Sequence, residues 1–71
     1  MTADAVLPLV TAEWQTTTAI GAALYEAEGR RGTPTSAHRR AWRGLKRLAE
    51  AGRVERVRGD GNSYVWRVVA A

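Results

Sequence analysis

The sequence contains no cysteine and only one histidine, His38. Without cysteine a chain forms no disulfide framework and no thiolate metal site, and one imidazole cannot bind zinc without carboxylate partners. We therefore expect a reducing, intracellular compartment, with no metal and no other cofactor. His38 is expected to cover the edge of the core or to contact a phosphate.

Long hydrophobic runs are also missing. The longest apolar stretch near the start, residues 5–10, is far too short to cross a bilayer and lacks the basic flank of a secretion signal. These features predict a cytoplasmic protein without a membrane partner.

The signatures of common enzyme classes are absent as well. The sequence has no phosphate-binding glycine loop and no paired nucleophile and base, and Glu26 and Glu28 have no obvious partner. An enzyme is therefore not expected, and no small-molecule ligand is indicated.

Positive charge is absent from residues 1–29, which contain four acidic residues and no lysine or arginine. All eleven cations lie in residues 30–71, where three acidic residues leave a net charge of +8. Such asymmetry is typical of a domain that presents one side to a polyanion, and it favours nucleic acid as the partner.

Periodicity and capping residues predict two helices in the first half. The first is expected over residues 3–13, with Pro8 near its first turn or at a kink. After a short extended connector at residues 14–15, the second is expected over 17–27, capped by Thr16 or Thr17.

The second half is predicted to contain a third helix and a hairpin. Glycines and a proline in residues 29–34 form a turn, and Thr33 followed by Pro34 is typical of a helix start. The third helix is expected over residues 34–51, with Gly52 ending it. Two β-prone segments around a Gly-Asp-Gly-Asn turn predict a hairpin over residues 53–69. We expect a single α+β domain spanning residues 1–71.

The third predicted helix has two opposite faces. Alanines, a glycine and leucines recur at spacings of three and four on the side expected to face the core, and Trp42 lies at the border of this side, where packing is expected. Five cations share the opposite side, and like charges at i and i+4 repel one another, so we expect an anion to offset that cost. The residues of this polar side are Ser36, Arg39, Arg40, Arg43, Lys46, Arg47 and Glu50.

This arrangement resembles the winged helix-turn-helix domains of bacterial transcription regulators over residues 14–69. Residues 40–48 (Arg-Ala-Trp-Arg-Gly-Leu-Lys-Arg-Leu) look like the recognition helix of that family, and residues 59–62 look like the tip of its wing. Residues 49–57 (Ala-Glu-Ala-Gly-Arg-Val-Glu-Arg-Val) are similar to the link between them. Two departures are a longer, more basic turn at residues 29–33, and Arg53 in a position that is often apolar.

The resemblance implies that the protein binds double-stranded DNA as a three-helix winged helix-turn-helix domain with a C-terminal β-hairpin wing. Arg56, Arg58 and Arg67 are further candidates, because arginine stems can lie along a sheet while the guanidinium groups reach outward. The residues expected in the major groove are Ser36, Arg39, Arg40 and Arg43. Those expected on backbone phosphates are Lys46 and Arg47, and those expected at the wing are Arg56, Arg58, Asn62 and Ser63.

The main alternative is a winged-helix adaptor of phage or plasmid type that binds a protein through an apolar side formed by Val6, Leu9 and Trp14, because one fold serves many functions. RNA fits less well, because the A-form major groove is closed to side chains. A homodimer or a protein partner is compatible with the sequence, and no residue identifies such an interface.

Overall fold

The computed structural model describes residues 2–61 and 63–69. Within them the chain forms an α+β fold with three helices and a three-stranded antiparallel sheet of order β1-β3-β2. The elements in chain order are α1 (Thr2–Val6), β1 (Gln15–Thr16), α2 (Thr17–Ala27), α3 (Pro34–Glu50), β2 (Val54–Arg58) and β3 (Tyr64–Val68).

The prediction of one first helix over residues 3–13 is wrong. Helix α1 ends at Val6, and a single 3-10 turn, Leu7–Leu9, follows it. Pro8 lies within this turn; it has no backbone N–H to donate, so an α-helical ladder cannot continue through it. Val6 and Val10 are nevertheless buried in the core.

The segment predicted as an extended connector forms the third strand of the sheet. In β1, Gln15 pairs with Trp66 and Thr16 with Val65. The pairing is reinforced upstream, where the backbone N–H of Val68 donates to the carbonyl of Thr11 at 2.9 Å. The hairpin is therefore joined to the amino-terminal half by backbone hydrogen bonds, which a two-stranded hairpin alone would lack.

Both long helices begin and end where the local signals indicate. Thr16 caps α2 by accepting from the N–H of Ala19, and Thr33 caps α3 by accepting from the N–H of Ser36. At the end of α3, Gly52 adopts a φ of +74°, and the N–H of Arg53 donates to the carbonyl of Leu48 at 2.8 Å. This is a Schellman motif, in which glycine tolerates the left-handed backbone at no steric cost.

Helices α2 and α3 approach one another closely at Gly21. A Cβ built at this position would lie 3.0 Å from the Cα of His38, which is closer than carbon atoms normally pack. Only glycine fits here without a shift of the backbone of α3. The contact sets how closely the two helices pack, and it orients the exposed side of α3.

The core lies between the three helices and the inner face of the sheet. Its largest fully buried side chains are those of Trp66, Ile20, Leu24, Leu45 and Val6. The indole Nε1 of Trp66 donates to the buried hydroxyl of Thr17 at 2.8 Å, so the polar atom of this ring is satisfied inside the core. No helix in the described part of the chain is long and apolar enough to span a membrane.

Candidate nucleic-acid interface

The side of α3 that faces away from the core is polar and strongly cationic. Arg39, Arg43 and Arg47 follow one another at intervals of four residues, and Lys46 lies beside them. All four side chains are exposed, as is Ser36 in the first turn. The helix therefore turns Ala41, Leu45 and Leu48 inward and a row of cations outward, as its periodicity predicted.

Arg40 does not belong to this row. Its guanidinium donates to the carboxylate of Glu28, at the end of α2, and both side chains are only about one third exposed, at 29% and 32%. The hydrogen bond from Arg40 lowers the pKa of Glu28, and the same bond raises the pKa of Arg40. The expectation that Arg40 lies free on the exposed face is therefore wrong. Helical periodicity relates only residues on the same helix, whereas Glu28 reaches Arg40 across the α2–α3 turn.

Two other arginines have acidic partners in the described residues, and neither lies on the exposed side of α3. Arg30 pairs with Glu26 at 2.9 Å at the end of α2, and this pairing raises the pKa of Arg30. Arg67 pairs with Glu55 across the hairpin.

The register of the hairpin separates its arginines onto opposite faces. Arg56 is opposite Trp66 and Arg58 is opposite Tyr64, so both lie on the inner face with the buried indole. Arg67 lies on the outer face, where its guanidinium is 4.4 Å from the ring centroid of Trp14. The three candidates from the strands therefore do not form one group: Arg56 and Arg58 lie on the side of α3, and Arg67 does not.

An aromatic cluster connects α3 to the hairpin on this inner face. The ring centroids of Trp42 and Tyr64 are 5.7 Å apart, and Trp42 meets Trp66 edge-on at 5.6 Å. The predicted packing role of Trp42 is confirmed, because it is half-buried against the core. The sequence alone did not predict the cluster, since its members come from two elements that only the fold brings together.

Cations lie over the rings of the aromatic cluster. Lys46 lies 5.9 Å from the ring centroid of Trp42, Arg56 lies 4.8 Å from that of Tyr64, and Arg58 lies 5.9 Å from the same ring. A shallow groove of about 280 Å³ is lined by Lys46 and Arg56 together with Ala49 and the acidic Glu50, so the cations of α3 continue onto the hairpin with one acidic side chain among them. We call this surface the cationic face. It consists of Arg39, Arg43, Lys46, Arg47, Arg56 and Arg58, and in the described residues none of them forms an ion pair with an acid.

At the tip of the hairpin, the side chain of Ser63 is engaged within the turn. The hydroxyl of Ser63 donates to the carbonyl of Asp60 at 2.9 Å and thus closes the turn, so its proton is not free for a phosphate. The Asp60 carboxylate is exposed and would repel phosphate. Asn62, predicted as a contact, lies outside the described residues.

A wider cleft of about 500 Å³ lies between the start of α2, the first half of α3 and the hairpin. His38, Trp42, Asp60 and Tyr64 lie in its walls together with three threonines at the start of α2. His38 thus lies at the edge of the α2–α3 contact and opens onto this cleft. In the part of the chain that the structure describes, no three acidic, cysteine or histidine side chains gather into a group that could hold a metal ion.

No protein-family model, curated protein or solved structure matches this chain. The geometry and charge of the cationic face are therefore the grounds for a function.

Arg53, which stands where an apolar residue is usual in the resembling family, is exposed and does not fray the strand. Its N–H ends α3, and its carbonyl accepts from the N–H of Val69 at 3.1 Å. Arg53 lies between α3 and β2, outside both elements, so it is not grouped with the cationic face.

Proposed function

We propose that the protein is a winged helix-turn-helix DNA-binding protein that acts as a sequence-preferring transcriptional regulator. In this proposal α3 enters the major groove of duplex DNA, and the β2–β3 hairpin follows the adjacent sugar-phosphate backbone. The observation that carries the proposal is the cationic face: six cations without acidic partners in the described residues, spread over one helix and the neighbouring hairpin.

The order of the elements supports this function. Two helices joined by a turn are packed tightly at Gly21, and a hairpin follows the second helix. The B-DNA major groove admits one α-helix. Because α3 presents its cations on the side opposite to the core, they can enter a groove without breaking any packing contact of the fold.

The cations are expected to have different roles along the face. Ser36, Arg39 and Arg43 lie in the first part of α3 and are assigned to base edges and nearby phosphates, since arginine binds guanine bidentately. Lys46, Arg47, Arg56 and Arg58 are assigned to phosphates, which fix the register of the protein on the duplex. Arg40 is assigned to the fold instead, because Glu28 holds it.

Selection of bound sequences from a random duplex pool tests the proposal, with affinity then measured over a range of salt concentrations. The wild type should enrich a defined sequence and bind less tightly as salt increases. Arg39→Ala and Arg43→Ala should each weaken binding by about 1–3 kcal/mol and relax the selected sequence at one position. Arg30→Ala is the matched control, since Arg30 is exposed but paired with Glu26. Unchanged affinity and unchanged sequence in both α3 variants would contradict the proposal.

A second candidate, the protein-binding adaptor, is favoured by the outer face of the sheet. Among the described residues, the exposed large apolar side chains are those of Trp14, Val57 and Val69, at 40%, 48% and 40% exposure. The apolar side expected from Val6, Leu9 and Trp14 does not exist as such, because Val6 is completely buried. Salt-tolerant binding to a protein, lost in Val57→Asp and retained in Arg43→Ala, would support the adaptor over the DNA-binding function.

A further inference from the structure

Tyr64 lies at the centre of the contacts that connect the hairpin cations to the core. It is the first residue of β3 and is half-buried, and its ring centroid is 5.7 Å from that of Trp42 and 6.2 Å from that of Trp66. Two guanidinium groups also lie over the Tyr64 ring, that of Arg56 at 4.8 Å and that of Arg58 at 5.9 Å from its centroid, and the Arg56 group is 5.6 Å from the ring centroid of Trp66 as well.

These arginines differ from Arg40 and Arg67 in lacking an acidic partner in the described residues. Arg40 and Arg67 bond to carboxylates, which fix the side chain and cancel its charge, although Arg67 also lies over the ring of Trp14. An aromatic ring attracts a cation through its quadrupole and leaves the net charge unchanged. Arg56 and Arg58 are thus restrained without losing the charge that attracts a phosphate.

Restraint matters because long side chains lose rotamer freedom when they bind. A free arginine on a strand must give up this freedom at the moment of contact, which weakens the affinity. A guanidinium that already rests against a ring has given up part of that freedom in the free protein. The ammonium group of Lys46 lies over the ring of Trp42 in the same way, 5.9 Å from its centroid.

We propose that Tyr64, together with Trp42, is a positioning residue that holds Arg56, Arg58 and Lys46 in place for a phosphate backbone while leaving their charges uncompensated. The proposal rests on the proposed DNA-binding function. The proposal does not require either ring to contact DNA.

The first test compares Tyr64→Phe, which keeps the ring, with Tyr64→Leu, which removes it. Tyr64→Leu should weaken duplex binding roughly threefold to tenfold, as expected when a long side chain must be ordered at the moment of binding. Tyr64→Phe should bind like the wild type. The slope of log affinity against log salt should be the same in all three proteins, because the number of cations is unchanged.

A double-mutant cycle tests whether Tyr64 acts through the two arginines. In a background of Arg56→Ala and Arg58→Ala, Tyr64→Leu should cause no further loss of affinity. If Tyr64→Leu costs as much in that background as in the wild type, or if Tyr64→Phe is as weak as Tyr64→Leu, the positioning role is overturned.

Trp14→Leu is the matched control, because it removes a ring from Arg67 on the outer face and should leave duplex binding unchanged. Thermal melting shows whether each variant is folded. If Tyr64→Leu melts below the temperature of the binding measurement, Tyr64→Met replaces it. Methionine packs against aromatic rings but has no π face.

Proton NMR of the free protein separates this proposal from the proposed function. The side-chain protons of Arg56 should be shifted upfield by the rings of Tyr64 and Trp66 in the wild type and in Tyr64→Phe, and this shift should shrink in Tyr64→Leu. Absence of the shift in the wild type overturns the positioning role. Absence of salt-dependent duplex binding by the wild type overturns the proposed function, and duplex binding that Tyr64→Leu leaves unchanged overturns only the positioning role.

Discussion

The guanidinium of Arg40 donates a hydrogen bond to the carboxylate of Glu28, twelve residues earlier in the chain. The bond spans the turn between α2 and α3, so it connects the last residues of one helix to the flank of the other. It removes one arginine from the exposed side of α3, and it leaves Glu28 Oε1 buried without a hydrogen-bond partner among the described residues. The pair therefore contributes to the geometry of the helix-turn-helix unit.

The first prediction concerns the pH dependence of this pair. Because the hydrogen bond lowers the pKa of Glu28, its contribution is fully present above the ordinary glutamate pKa of about 4.3 and is lost as the pH falls through the lower pKa of the folded state. Glu28→Gln should lower the melting temperature at neutral pH, and the difference from the wild type should disappear in acid. Melting curves across pH measure both effects.

The control for this prediction is Glu26→Gln, which removes the i,i+4 pair with Arg30 instead. Both of those side chains are more than half exposed, at 57% and 69%, so the effect on melting should be smaller. An equal effect in the two variants would mean that the Glu28–Arg40 bond has no special role in the turn.

The second prediction is that Gly21→Ala destabilises the fold. Alanine in place of glycine inside a helix normally stabilises it by about 1 kcal/mol. Here the new Cβ would lie 3.0 Å from the Cα of His38, and such overpacking costs about 1–3 kcal/mol. We therefore expect a net loss in the free energy of unfolding, measured by urea titration.

A helix-propensity control on α2 is Ala22→Gly at an exposed position. It should cost about 1 kcal/mol through backbone entropy alone. If Gly21→Ala proves stabilising, the helices do not approach one another as closely as described.

The third prediction concerns the buried hydrogen bond between Trp66 and Thr17. Thr17→Val should leave the indole N–H without an acceptor and lower the free energy of unfolding by about 1–3 kcal/mol. Thr17→Ser keeps a hydroxyl at this position and should cost less. Denaturant titration followed by far-UV circular dichroism measures the difference, and equal losses in the two variants would assign the cost to packing rather than to the hydrogen bond.

The fourth prediction uses the two faces of the hairpin. If the inner face meets a phosphate backbone, Arg56→Ala should reduce the slope of log affinity against log salt by about 1, whereas Arg67→Ala should leave it unchanged. The two arginines are close neighbours in the sheet and differ in face and partner. A reduced slope in Arg67→Ala alone would place the contact surface on the outer face.

Much of the fold could be predicted from local signals. Helix α2 was expected over residues 17–27 and is Thr17–Ala27, and α3 was expected over 34–51 and is Pro34–Glu50. The caps at Thr16 and Thr33 were also predicted. These features depend on contacts between residues at most five apart, so the neighbouring sequence is enough to predict them. DNA binding itself stays a prediction.

Most of the missed features depend on residues that are distant in sequence. β1 exists only because β3 lies beside it. The candidate site was affected in the same way, since periodicity could not show that Arg40 meets Glu28. The early end of α1 is the exception, because Pro8 is a local signal against an α-helix over residues 3–13.

The sequence by itself determined the two long helices and the C-terminal hairpin, which side of α3 is cationic, and that the positive charge lies beyond residue 29. Only the tertiary structure decided which of those cations are neutralised and which share a face. Charge and periodicity are properties of one segment, whereas the distance from a guanidinium to a carboxylate or a ring depends on how separate segments pack. Packing brought Glu28 to Arg40 and Tyr64 to Arg56. It thereby separated the arginines that pair with an acid from those that have no acidic partner in the described residues.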